Sequence, residues 1–132
     1  GNHTLEIGVG RLPVRTLPEA RQLVDKLIGY ATQPQTLGQW RQQVAFVADD
    51  GDFNIHQSDA EQLSDMLSVE DFQYNPKKIY LDNFVQRVFP GGEEVPQAVE
   101  SLNEAVEKGS LVVNFTGHGG EIGWTQEQIL TI

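Results

Sequence analysis

Apolar residues recur along this chain in two rhythms that alternate. Four short runs read as strands: Leu5-Glu6-Ile7-Gly8-Val9, Val44-Ala45-Phe46-Val47-Ala48, Lys77-Lys78-Ile79-Tyr80-Leu81 and Leu111-Val112-Val113-Asn114-Phe115. Between them the spacing changes to threes and fours, the period of a helix that buries one face. Ala20, Leu23, Val24, Leu27 and Ile28 form the first such face. Leu63, Met66, Leu67 and Val69 form the second, and Ala98, Val99, Leu102, Ala105 and Val106 the third. Thr16 with Glu19, and Ser58 with Glu61, both have the spacing of a capping box and predict helix starts. Gly29 and Pro34 bracket the end of the first helix, and Gly109 is expected just past the end of a helix running from Pro96 to Lys108. A long loop from Asp82 to Val95 carries the turn signal Phe89-Pro90-Gly91-Gly92, and Thr125-Gln126-Glu127-Gln128 is expected to start one more helix. There is no internal repeat.

Apolar strands separated by amphipathic helices predict an α/β fold, with a mainly parallel sheet covered on both faces. Catalytic groups in such sheets gather beyond the carboxyl ends of the strands. Three segments fall there: Asp49-Asp50-Gly51-Asp52, the loop after Leu81, and Gly117-His118-Gly119-Gly120. In the last, Gly117 and Gly119 permit positive φ and close backbone approach, and a histidine in that setting serves as acid or base near neutrality.

Composition narrows the chemistry. A chain of 132 residues fits one domain. Its formal charge of −10, with scattered Lys and Arg, excludes a nucleic-acid partner, which needs a basic footprint. There is no cysteine, so disulfides and zinc–thiolate sites are excluded within these residues. No apolar run approaches the roughly 20 residues of a membrane span, and Gly1-Asn2-His3-Thr4 has no signal-peptide character. The first residue is Gly and the last three are Leu130-Thr131-Ile132, so the chain is expected to be cut from a longer protein.

Other uses of the histidine fit less well. His3, His56 and His118 are too dispersed to read as a metal site, and Glu121 stands where a phosphate loop needs Lys. No serine has the small-residue surroundings of a nucleophile elbow. Asp50, Asp52, Asn54 and Glu61 have the ligand spacing of a calcium loop, but Ile55 occupies the turn-glycine position and a strand precedes it. What remains is a base without a nucleophile.

Asn114-Phe115-Thr116-Gly117-His118-Gly119-Gly120-Glu121, followed by Trp124, resembles the histidine segment of the gingipain family of cysteine peptidases. Ile7-Gly8-Val9-Gly10-Arg11-Leu12-Pro13-Val14 is similar to the strand that opens their catalytic subdomain, and Val24-Asp25-Lys26-Leu27-Ile28 with Tyr30 fits the helix that follows. The resemblance covers roughly residues 5 to 132. Asp49-Asp50-Gly51-Asp52, Phe89-Pro90-Gly91-Gly92-Glu93 and the double glycine with Glu121 and Trp124 are most similar to the member that serves type IX secretion in Bacteroidetes.

The resemblance implies a caspase-like three-layer sandwich, incomplete here, and a Cys–His dyad in which His118 is the catalytic histidine. The cysteine is expected beyond these residues, which makes 1–132 the N-terminal part of a peptidase domain and inactive alone. Asp50 is implied as the acidic partner of His118, with Asp49 as its substitute. Gly119 and Gly120 are implied as oxyanion donors, Trp124 as a cleft wall and Asp59 as a substrate-binding residue. No cofactor is implied, although calcium stays a candidate because gingipains carry it. The implied partners are the C-terminal domains of secreted cargo and other type IX components, such as an outer-membrane anchor protein. The implied location of the parent is the cell surface.

Overall fold

The computed structural model describes residues 10–70 and 73–131. The predicted strand from Leu5 to Val9, and His3, lie outside them. The chain divides after Gly38 into two compact units.

The first unit contains α1, Leu17–Thr32, which starts as its sequence predicts. The Glu19 N–H donates to Thr16 Oγ1 (3.4 Å), and the Thr16 N–H donates back to Glu19 Oε2 (3.2 Å). Gly29 and Pro34 bracket its end as expected: Gly29 is buried within the last turn, and the chain leaves helical geometry at Gln33, just before Pro34. Val24, Leu27 and Ile28 of the expected apolar face are exposed.

The second unit is an α/β sandwich. Three parallel strands, β1 (Gln43–Ala48), β2 (Asn75–Tyr80) and β5 (Val112–Thr116), lie in the order β2-β1-β5. Helices α2 (Ile55–Glu70) and α3 (Pro96–Glu107) pack on opposite faces. The alternation of a strand explains the division. Ala45 and Val47 of β1 point into the larger core with Ile79, Leu81, Val95, Ala98, Leu102, Ala105 and Ile129. Val44, Phe46 and Ala48 point the other way, against Ala60 and Tyr80. The central strand is thus buried on both faces, which is why it reads as an unbroken apolar run.

Two expectations about α2 fail. Its helix begins at Ile55, so Ser58 and Glu61 are not a capping box but part of the helix body. Glu61 accepts instead from Lys78 Nζ (2.6 Å) and the Tyr80 hydroxyl (2.8 Å). The buried positions are Ala60 and Ser64, whereas Leu63, Met66 and Val69 are exposed. Small residues let the helix lie close to β1, and this removes the usual apolar signature.

The segment from Asp82 to Val95 is not a plain loop. Arg87–Phe89 (β3) and Gly92–Glu94 (β4) pair as an antiparallel hairpin turning at Pro90-Gly91. α3 ends as predicted, with Gly109 at a positive φ of 90°. Thr125 to Gln128 form a turn rather than a helix, with Thr125 and Gln128 both at positive φ. This turn joins two-residue strands β6 (Gly123–Trp124) and β7 (Leu130–Thr131).

Candidate active site

The site grows out of the β1–β5 ladder. Ala48 stands opposite Thr116, and the Asp49 N–H donates to the Thr116 carbonyl (3.1 Å), which carries the ladder one residue past the strands. Asp49 is thereby brought against Gly117. A Cβ at Gly117 would lie 2.4 Å from the Asp49 Cβ and 2.9 Å from Phe115 Cζ, and φ there is 157°. Only glycine admits this approach. Directly after it, the His118 N–H donates to Asp49 Oδ2 (3.0 Å), and His118 Nδ1 lies 3.2 Å from the same oxygen.

Burial separates the two partners. The Asp49 side chain is 6% exposed and that of His118 is 61% exposed. A buried carboxylate fixed by the ladder thus grips the inner edge of an imidazole whose outer edge faces solvent. The contact holds the ring by Nδ1 and turns Nε2 outward. Asp52 Oδ2 lies 3.3 Å from Nε2, and the His56 ring meets that of His118 edge-on at 4.9 Å. Asp52, Phe53 and Asn54 all have φ between 55° and 64°, and Phe53 is fully exposed. Three successive left-handed residues without glycine cost about 1–2 kcal/mol each, less for Asp and Asn.

On the far side of His118 the backbone folds back. The Thr125 N–H donates to the His118 carbonyl and the Gly120 N–H to the Gly123 carbonyl, both at 2.8 Å, so Gly119 faces Trp124 as an antiparallel pair. The Gly120 amide is therefore engaged and not free for an oxyanion. Gly119 sits at the non-hydrogen-bonded position of the pair, where N–H and C=O point away from the partner strand. Trp124 stacks on Phe115 (4.4 Å, 5°) and packs against the larger core, so its ring braces β5 rather than standing free as a cleft wall.

A model of peptidase family C25 matches residues 1–132. The chain belongs to peptidase family C25. No curated protein and no solved structure matches it significantly.

Family C25 chemistry is that of cysteine peptidases, and these 132 residues contain no cysteine, so they do not include a thiol nucleophile. The acidic partner of the histidine is Asp49, not Asp50. Asp50 accepts from Gln86 Nε2 (3.3 Å) and lies close to Asp49 and Glu127. Burial, then Glu127, then Asp49 push its carboxyl up to about 6. Asp59 is exposed on α2, beyond the first turn that begins at Ile55, and so does not head the helix. The calcium spacing also fails. Glu61 is held by Lys78 and Tyr80, and among the described residues the carboxylate and histidine groups able to share an ion are Asp49–His56–His118 and Asp49–Asp50–Glu127. Sequence reasoning missed Gln86, Glu127 and the contact of His56. No local pattern marks them, because Gln86 and Glu127 lie 36 and 77 positions from Asp50 and meet it only in the fold.

Proposed function

We propose that this chain supplies the histidine half of a Cys–His cysteine endopeptidase, the thiol coming from a cysteine outside these residues. The observation that carries the reading is the Asp49–His118 pair at the carboxyl edge of a parallel sheet, on a chain of family C25.

His118 Nε2 takes the thiol proton, and the thiolate attacks the carbonyl carbon of the scissile bond. The carbon–sulfur bond forms as the carbonyl π electrons move onto oxygen. The Gly119 amide is the donor in this chain suited to that oxyanion. The carbon–nitrogen bond then breaks, and His118 returns the proton to the leaving amine. Water, deprotonated by His118, releases the acyl group and restores the thiol. Asp49 holds the ring through Nδ1 and stabilises its charge at each stage. Asp52, which lies on Nε2, has to move aside for the thiol to reach it.

The substrate reading is finer. The acidic loop, the Phe89-Pro90-Gly91-Gly92-Glu93 hairpin and the double-glycine histidine segment make the chain similar to PorU, the type IX secretion sortase of Bacteroidetes. On this reading the parent works at the cell surface, alongside other type IX components such as an outer-membrane anchor protein. It cuts C-terminal sorting domains from secreted cargo and passes the new carboxyl end to water or a lipopolysaccharide amine. Asp59 contributes to substrate binding from its exposed position on α2. Changing His118 to Ala in the full-length peptidase should abolish cargo processing while far-UV circular dichroism stays native. Processing retained in that variant, or no cysteine in the full-length chain, would leave the domain a binding module instead.

A further inference from the structure

The carboxylate that covers the base has a second histidine within reach. Asp52 Oδ2 lies 3.3 Å from His118 Nε2 and 3.6 Å from His56 Nε2, so one oxygen stands between two imidazoles. The longer distance is beyond hydrogen-bond range. His56 Nε2 is buried and has no hydrogen-bond partner, a costly state for a polar atom. Asp52 reaches both rings from a strained turn: Asp52, Phe53 and Asn54 are left-handed in succession, and Phe53 is fully exposed. Backbone strain of this kind collects at switch segments. The other charged group facing the two rings is Asp49, from the loop after β1, with an oxygen within 4.8 Å of a nitrogen of each. On the β2 side, Lys78 and Tyr80 are engaged by Glu61, further along α2.

We infer that His56 is a positioning residue for the proposed peptidase reaction, serving as an alternative seat for Asp52. With Asp52 on His118 the base is covered and His56 Nε2 is orphaned. When the carboxylate swings to His56, a hydrogen on the buried Nε2 gains its acceptor and His118 Nε2 is bare for the thiol. Asp49 holds His118 through Nδ1 in both arrangements, so the ring stays in place while its outer nitrogen is covered or freed. The edge-on packing of the two rings, 4.9 Å between centroids, keeps both seats within reach of one side-chain rotation. His56 is not a second base, because its side chain is 16% exposed against 61% for His118. The role in catalysis rests on the peptidase reading, whereas the exchange of Asp52 between two seats is a property of this chain alone.

The test measures how open His118 Nε2 is, with neither cysteine nor substrate. Diethyl pyrocarbonate acylates an exposed, unprotonated imidazole nitrogen, and mass spectrometry of the peptide carrying His118 gives the rate at one fixed pH. Asp52→Ala should raise that rate, since nothing then covers Nε2. His56→Phe keeps a ring and removes the nitrogen, which leaves Asp52 one seat. The rate should then fall by about two- to tenfold, the population shift that a single hydrogen bond controls. His56→Gln carries a donor at similar reach and should restore the wild-type rate. In an Asp52→Ala background His56→Phe should change nothing, because His56 acts through Asp52. A rate unmoved by Asp52→Ala, unmoved by His56→Phe, or moved by His56→Phe equally with and without Asp52 would overturn the assignment. Should His56→Phe fail to fold by far-UV circular dichroism, His56→Leu takes its place and the same outcomes decide. Exchange of Asp52 in a full-length chain that cuts no peptide would refute the peptidase reading alone; cleavage with unmoved rates would refute the exchange alone.

Discussion

Replacing Asp50 with Asn should stabilise the protein at pH 7.5 and leave it unchanged near pH 3. Burial and the charges of Glu127, Asp49 and Asp82 raise the Asp50 carboxyl from 3.8 to about 6. A carboxyl with a raised folded-state pKa binds its proton more tightly when folded, so its contribution to stability is fully present below about 3.8. That contribution is lost as pH climbs through about 6. At about 1.36 kcal/mol per pH unit the ionisation penalty reaches at most about 3 kcal/mol. Asp50 is only partly buried and solvent screens part of the repulsion, so about 1–2 kcal/mol is the expected gain. Asn keeps an oxygen in position to accept from Gln86 Nε2, and so the contact survives while the charge does not. Urea unfolding of both proteins at pH 3 and pH 7.5 measures the difference directly. The difference between variant and wild type isolates this group from the other carboxylates. An equal effect at both pH values, or destabilisation at pH 7.5, would refute the electrostatic account.

Other substitutions probe other parts of the structure. In the full-length peptidase, Asp49→Asn should lower kcat by about 10²–10⁴-fold with little change in KM, because the imidazole loses its orienting charge; steady-state kinetics on a peptide substrate decides this. Gly117→Ala forces a Cβ to 2.4 Å from Asp49 and should cost about 1–3 kcal/mol or more in chemical denaturation. Phe53 packs on nothing and sits at φ 55°, so Phe53→Gly should relieve about 1–2 kcal/mol of left-handed strain. Against this stands about 0.5–1 kcal/mol of extra freedom in the unfolded chain, and a small net rise in melting temperature is the expected reading. Leu102→Ala empties a site that is 1% exposed and should destabilise the protein by about 2–5 kcal/mol in the same denaturation assay.

Legibility in the sequence followed the physical origin of each feature. β1 was readable because burial on both faces leaves only apolar residues, and α3 because Ala98, Leu102 and Ala105 keep a helical period. The start of α2 was not, because Ile55 follows a left-handed turn of Asp52, Phe53 and Asn54, a conformation no local pattern marks. His118 was legible from its glycines; its partner was not, since choosing between Asp49 and Asp50 needs the register of β1 against β5. The two aspartates follow the end of β1 at Ala48 and take different partners, although an oxygen of each lies within 4.8 Å of the other. One is drawn to the histidine by the glycine across the ladder, and the other is turned toward Gln86 and Glu127, residues 36 and 77 positions away in sequence but adjacent in the fold. That division of labour makes the two aspartates separable by experiment: Asp49 should govern rate, Asp50 should govern pH-dependent stability, and exchanged effects would show that the register has been misassigned.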